Sequence, residues 1–231
     1  LLLLLGVSAG GCRDVAPVEL TRGALVGDAT CLSCHSEMAG VDSTAHARSS
    51  VTASAEAIHG SFAAGENEVT TSNPYLHYRM EEREEGFYQV AVQEEGNAVT
   101  EVSERMDVVI GSGRKGQTYL YWQGDRLYQL PISYWTGVGW ANSPGYADGI
   151  VNFNRPVPPR CLECHATYAT PADSAGQTNQ YDTTSLVPGI SCESCHGPGR
   201  AHVEARSAGG GWFRPDPIVD PGDLSRERQV D

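Results

Sequence analysis

Three Cys-x-x-Cys-His pentapeptides constrain this chain more than any other feature: Cys31-Leu32-Ser33-Cys34-His35, Cys161-Leu162-Glu163-Cys164-His165 and Cys192-Glu193-Ser194-Cys195-His196. With seven cysteines and seven histidines in 231 residues, chance placement would yield only about 0.006 such motifs. Two thiols three residues apart can each form a thioether to one haem vinyl group, and the adjacent imidazole then reaches the iron as proximal ligand. Cys31, Cys34, His35, Cys161, Cys164, His165, Cys192, Cys195 and His196 are therefore the expected attachment residues of three haem c groups. Zinc fits less well, because a structural site wants four protein ligands and each unit offers three at irregular intervals. Local disulfides would leave the histidine after each pair without a role.

The remaining cysteine, Cys12, closes the stretch Leu1-Leu2-Leu3-Leu4-Leu5-Gly6-Val7-Ser8-Ala9-Gly10-Gly11. This apolar run is too short to span a bilayer, and small residues just before a cysteine suit cleavage followed by lipid attachment. Residues 1–12 thus read as a lipoprotein-type signal remnant with Cys12 lipidated; a plain secretory leader is the alternative. Ala9 stands where such signals usually carry leucine, and no methionine or basic segment precedes the run. A chain truncated at its front is expected, as is export to the periplasm or outer membrane of a bacterium.

Composition agrees with export. A formal charge of -13 and a pI near 4.9 exclude nucleic acid as partner, since phosphates attract lysine and arginine. Such a surface favours transient docking with a basic redox protein. At 24.7 kDa the chain suits one domain, or a domain with an insertion. Hydrophobic residues at 40% and a mean hydropathy of -0.33 are thin for a self-sufficient core. Porphyrins would supply apolar plates, and the haem-free chain is expected to fold poorly.

Along the chain, Asp28 and Thr30 are expected to cap a short helix holding Cys31 to His35. The Ala/Ser-rich run from Thr44 to His59 has helical composition, with Ser43 to start it and Gly60 to end it. From about residue 74 to 135 the character changes. Phe87–Val92, Asp107–Ile110, Thr118–Trp122 and Arg126–Leu130 are rich in β-branched and aromatic residues and predict strands, with turns at Gly86, Gly96-Asn97 and Gly124-Asp125. The fold class is thus α+β, with short helices and loops wrapped around haems and a small antiparallel β insertion between the first and second motifs. Gly111-Ser112-Gly113-Arg114-Lys115-Gly116 matches G-x-G-x-x-G, but a strand rather than a helix is expected after it, so it reads as a loop and not a dinucleotide site. Arg155-Pro156-Val157-Pro158-Pro159 brings an extended segment into the second motif, and Gly197-Pro198-Gly199 ends any helix after the third.

Gly111-Ser112-Gly113, Tyr119-Leu120, Gly124-Asp125-Arg126-Leu127, Leu130-Pro131-Ile132, Trp140-Ala141-Asn142-Ser143-Pro144-Gly145-Tyr146, Cys161-Leu162-Glu163-Cys164-His165-Ala166 and Gly189-Ile190-Ser191-Cys192-Glu193-Ser194-Cys195-His196-Gly197-Pro198-Gly199 together resemble the cytochrome c-554-related (c-552/4) multihaem domain, a module often followed by tetratricopeptide repeats. The resemblance covers most residues from about 28 to 228. It implies a multihaem cytochrome domain over residues 13–231. In that family an element like Ile218-Val219-Asp220-Pro221 with Leu224 and Arg228 usually precedes a further haem motif, so a C-terminal truncation and a fourth haem beyond Asp231 are expected.

The resemblance also implies axial ligands: His46, in Ala45-His46-Ala47-Arg48, and His202, shortly after Cys-His-Gly-Pro-Gly. His59 and His77 lack a family counterpart; His59 is kept as a further candidate ligand. Met38, Met80 and Met106 are better read as packing residues, and Trp212 and Phe213 as tail residues that could pack on a haem or lie in a surface loop. With two nitrogen ligands on each iron, the module is an electron carrier. With one open iron it is a redox enzyme of the nitrogen-cycle multihaem type, acting on a small N-oxide or hydroxylamine. A repeat-bearing scaffold is the third class. Glu81-Glu82-Arg83-Glu84-Glu85 reads as a solvated charged turn, not an acid/base pair.

Overall fold

The computed structural model describes residues 21–173, 178–209 and 216–226. The signal-type stretch with Cys12, the tail aromatics Trp212 and Phe213, and Arg228 lie outside these residues. Four short helices occur among the described residues: α1 Asp28–Leu32, α2 Pro159–Leu162, α3 Cys192–His196 and α4 Arg200–Ser207. The strands are β1 Ser50–Thr52, β2 Glu68–Thr70, β3 Leu76–Arg83, β4 Gly86–Glu95, β5 Ala98–Arg105, β6 Val108–Ile110, β7 Gly116–Gln123, β8 Arg126–Gln129, β9 Ile132–Trp135, β10 Gly139–Asn142, β11 Arg155–Pro156, β12 Ala166–Pro171 and β13 Tyr181–Pro188. No helix among the described residues is long and apolar enough to cross a membrane.

The strands form a four-stranded sheet in the order β2-β3-β4-β5, a seven-stranded sheet with the path β1-β6-β7-β8-β11 to which β9 and β10 are joined, and the pair β12-β13. The hairpins follow local chemistry. Gly96-Asn97 links Glu95 to its partner Ala98, and Gly124-Asp125 links Gln123 to Arg126. Gly124 adopts φ +63°, which glycine takes without steric penalty. Glu84 and Glu85 make the β3-β4 turn, whereas Glu81 stays on the strand between Arg79 at 2.6 Å and Arg83 at 2.7 Å. The Gly111–Gly116 loop runs straight into β7.

The run from Thr44 to His59 is not a helix; it turns through residues 44–49, forms β1 and turns again. Its alanines favour a helix, but the run lacks a strong apolar stripe to stabilise one. Val51 and Thr52 are β-branched and gain a full antiparallel ladder by pairing with Val109 and Val108. The sheets also extend past residues 74–135, because β1, β2, β10 and β11 join them.

Two cores result. Tyr78 and Met80 from the four-stranded sheet meet Val109, Tyr119, Tyr121, Leu130 and Ile132 from the larger one. On the other face of the larger sheet, Val108, Leu120 and Leu127 pack against Leu162, Ala166 and Tyr181, so the second motif rests directly on the sheet. The helices carrying the other two motifs differ: α1 buries no residue and α3 only Glu193, and the following α4 buries none either.

Candidate haem-attachment site

Each Cys-x-x-Cys-His unit begins on a short helix and ends at or just past its last turn, which projects cysteines and histidine from one local coil. The six described cysteines are free thiols; Cys34, Cys161, Cys164 and Cys195 are exposed, Cys31 and Cys192 half-buried.

The first and third motifs are clasped together. Glu193, 3% exposed, accepts backbone N–H bonds from Val26 at 3.0 Å, Gly27 at 2.9 Å and Gly199 at 2.7 Å. In return, Asp28 accepts the N–H of Cys192 at 3.0 Å. Each carboxylate thereby serves the N-terminal end of the other motif's helix, where backbone donors lack partners within their own helix. Asp28 was expected to cap its own helix; α1 is instead capped at Gly27 without a side-chain bond, and Asp28 reaches α3. Within the clasp, burial raises the Cys31 thiol pKa, aided by Glu193 and Asp28. Burial and the bond to Asp28 push Cys192 up to about 12. Both remain thiols at neutral pH.

The second motif is tied in through Ser49, Ser50 and Thr167. The buried Ser50 hydroxyl donates to the His165 carbonyl and accepts the N–H of Gly189 at 2.9 Å. Thr167 accepts the N–H of Ser191 at 2.9 Å through its hydroxyl, which also donates to the Gly189 carbonyl at 2.7 Å. Gly189 has φ +76°, and a Cβ there would sit 2.3 Å from the Ala47 carbonyl oxygen, so the passage from β13 into the third motif requires glycine.

The imidazoles share one arrangement. Nδ1 of His165 lies 3.3 Å from the Ser49 carbonyl oxygen, Nδ1 of His196 2.9 Å from that of Val219, and Nδ1 of His35 3.4 Å from a Glu37 carboxylate oxygen. Nδ1 of His202, on α4, lies 2.6 Å from Asp216, whose other oxygen binds Arg206. Carbonyls and carboxylates only accept, so Nδ1 donates, and in the neutral ring Nε2 is the nitrogen with the lone pair. No Nε2 of these four rings has a partner among the described residues. Metal-ligating histidines characteristically bond outward in this way. Burial tends to raise the Asp216 carboxyl, but its bonds to His202 and Arg206 outweigh that and hold it below its ordinary value.

His35 and His202 face each other with ring centroids 6.4 Å apart and planes inclined by 26°. The residues present therefore fit haem: paired free thiols, imidazoles with outward-anchored Nδ1, and helices that leave an apolar partner to be supplied. The cysteines and histidines do not form a cage of their own, since no group of three or more His, Cys, Asp or Glu among the described residues is placed to hold a metal ion.

The other candidates are placed differently. His46 is exposed, but its carbonyl accepts the N–H of Ile190 at 3.0 Å, at the approach to the third motif. His59 lies on the β part, its ring against Gly113 and edge-on to Tyr134 at 6.4 Å. His77 lies within β3, paired with Val92. Met80 and Met106 are core residues, and Met38 is exposed. Sequence reading overlooked Glu193, Asp216 and Ser50. Only Glu193 left a signal: it occupies the second motif position, where the other two units carry leucine.

Residues 149–197, which include the second and third motifs, match the family model of cytochrome c554 and c-prime. That match supports a cytochrome c-type reading of the segment, a family whose cofactor is heme c and whose chemistry is electron transfer. The first motif lies outside the matched residues. No curated protein and no solved structure matches the chain.

Proposed function

We propose that this protein is an exported electron carrier that binds three haem c groups, one at each Cys-x-x-Cys-His, within a multihaem cytochrome fold. The observation that carries the reading is the common state of the His35, His165, His196 and His202 imidazoles, each anchored through Nδ1 with Nε2 unpartnered among the described residues. When bound, haem supplies reversible one-electron chemistry. The chain's own groups do the rest. The paired thiols form the covalent links, and His35, His165 and His196 present proximal nitrogens. His202, whose ring lies beside that of His35, would be a candidate second ligand, as would His46 and His59.

Axial nitrogens on both sides of an iron leave no position for substrate and limit rearrangement between redox states, which suits transfer rather than turnover. The Glu193–Asp28 clasp holds the first and third motifs at fixed separation, and Ser50 and Thr167 tie the second to them. Export with lipid anchoring through Cys12 rests on the residues that lead to that cysteine. The negative surface suits a basic redox partner.

The test is a pyridine haemochrome assay with electron paramagnetic resonance on haem-loaded protein. Three haems per chain, all low-spin, are expected. A high-spin ferric signal that shifts with nitrite or hydroxylamine would instead establish the redox-enzyme reading, and colourless, iron-free protein would refute both.

A further inference from the structure

We propose that a cleft on the larger sheet, beside His165, is a carboxylate seat built on Lys115 and Arg155, and that its occupant is the propionate edge of the haem carried by the second motif. This inference rests on the haem reading above.

Strand register locates the seat. Residues paired across an antiparallel ladder share a face, as do residues two apart on one strand. The pairs Val108↔Leu120, Ile110↔Thr118, Leu120↔Gln129 and Gln129↔Arg155 therefore place these side chains on one face of the sheet. Its Val108 and Leu120 end packs on Leu162 and Ala166 of the second motif region. Ile110 borders that packing and also lines a cleft of about 370 Å³, together with Lys115, Thr118, Gln129, Trp135 and Arg155. His165 stands at the same end, because the Ser49 carbonyl that faces its Nδ1 also accepts the N–H of Gly111, next to Ile110.

Charge names the ligand. The chain carries 29 acidic against 16 basic residues, yet the cleft is lined by two cations and no carboxylate. Arg155 is held in place by the Pro144 carbonyl at 2.6 Å and by the Tyr146 ring, 5.3 Å from its guanidinium carbon. Neither Lys115 nor Arg155 has a carboxylate partner among the described residues. Gln129 and Thr118 satisfy one another at 3.0 Å, and Trp135 and Ile110 give the cleft an apolar wall. Two uncompensated cations beside a flat apolar wall suit an anion attached to an apolar body. The haem at His165 brings such carboxylates; a free small organic acid has the same chemistry from another source.

Spectropotentiometry of haem-loaded Lys115→Glu and Arg155→Glu variants, with milder Lys115→Gln and Arg155→Gln versions, tests the seat. Arg114→Glu is the control, since it changes charge one residue away without lining the cleft. Haem staining comes first: wild-type protein without covalent haem would sink the haem reading itself. With haem in place, one of the three potentials is expected to fall in the cleft variants while the other two hold, because removing cations from a carboxylate near an iron favours the ferric state. Arg114→Glu should leave all three unchanged. If instead those potentials stay put but added acetate saturably perturbs the spectra of wild-type protein and not those of Lys115→Glu or Arg155→Glu, the seat stands with a free carboxylate as occupant. Unmoved potentials with no acetate response, or equal shifts in cleft and control variants, would overturn it.

Discussion

The Glu193 carboxylate accepts the N–H of Gly27 at 2.9 Å, across 166 residues of chain. The same position is Leu162 in the second motif, where it is buried in the sheet-facing core. One motif is thus held by apolar packing and another by a buried carboxylate that collects backbone donors. Removing that carboxylate strands the buried N–H of Gly199 and the part-buried ones of Val26 and Gly27, so Glu193→Ala should cost about 3 kcal/mol. Glu193→Gln, which retains one accepting oxygen, should cost less. Denaturant unfolding of the haem-loaded protein measures both. Glu163→Ala, in the exposed third position of the second motif, should stay within about 0.5 kcal/mol of wild type.

Asp216 and His202 form the shortest of the imidazole anchors, and Arg206 orients the carboxylate from its other side. Asp216→Ala should loosen His202 as an iron ligand by about 10- to 100-fold. The expected sign is carbon monoxide binding to one ferrous haem that wild-type protein excludes. Asp216→Asn, able to accept through its amide oxygen, should show little of this. Equal behaviour of the two variants would remove the hydrogen bond from the explanation.

Ser50 joins the second motif to the approach of the third through a single buried hydroxyl. Ser50→Ala leaves the N–H of Gly189 without its acceptor and should cost about 1–3 kcal/mol in unfolding experiments. Gly189→Ala is expected to be worse, because a Cβ both meets the Ala47 carbonyl oxygen and disfavours φ +76°.

Haem removal should not unfold the chain uniformly. The β part buries Tyr78, Tyr119, Tyr121, Leu130 and Ile132, whereas α1, α3 and α4 bury no apolar side chain. Protein with all six motif cysteines changed to serine should keep slow amide exchange in β3, β4 and β7 and lose it in α1, α3 and α4. Uniform loss across both parts would show that the sheets depend on the cofactor as well.

The chain alone determined what depends on covalent or nearest-neighbour chemistry. Cys-x-x-Cys-His is complete within five residues, glycine at a two-residue turn needs no partner elsewhere, and the strands around Tyr119 and Val90 announce themselves by their β-branched and aromatic residues. The tertiary structure decided whatever needs two distant segments. Thr44–His59 has helical composition, yet Val51 and Thr52 pair with β6 because a sheet edge satisfies their backbone better than an isolated helix could. Asp28 looks like a cap for its own helix and caps another. Nothing local marks Asp216 as the partner of His202, or His202 as the ring opposite His35, since an imidazole's neighbours are set by where the fold returns. Attachment chemistry is short-range and therefore written in the motif; ligation and electrostatic tuning are long-range and exist only once the chain has closed on itself.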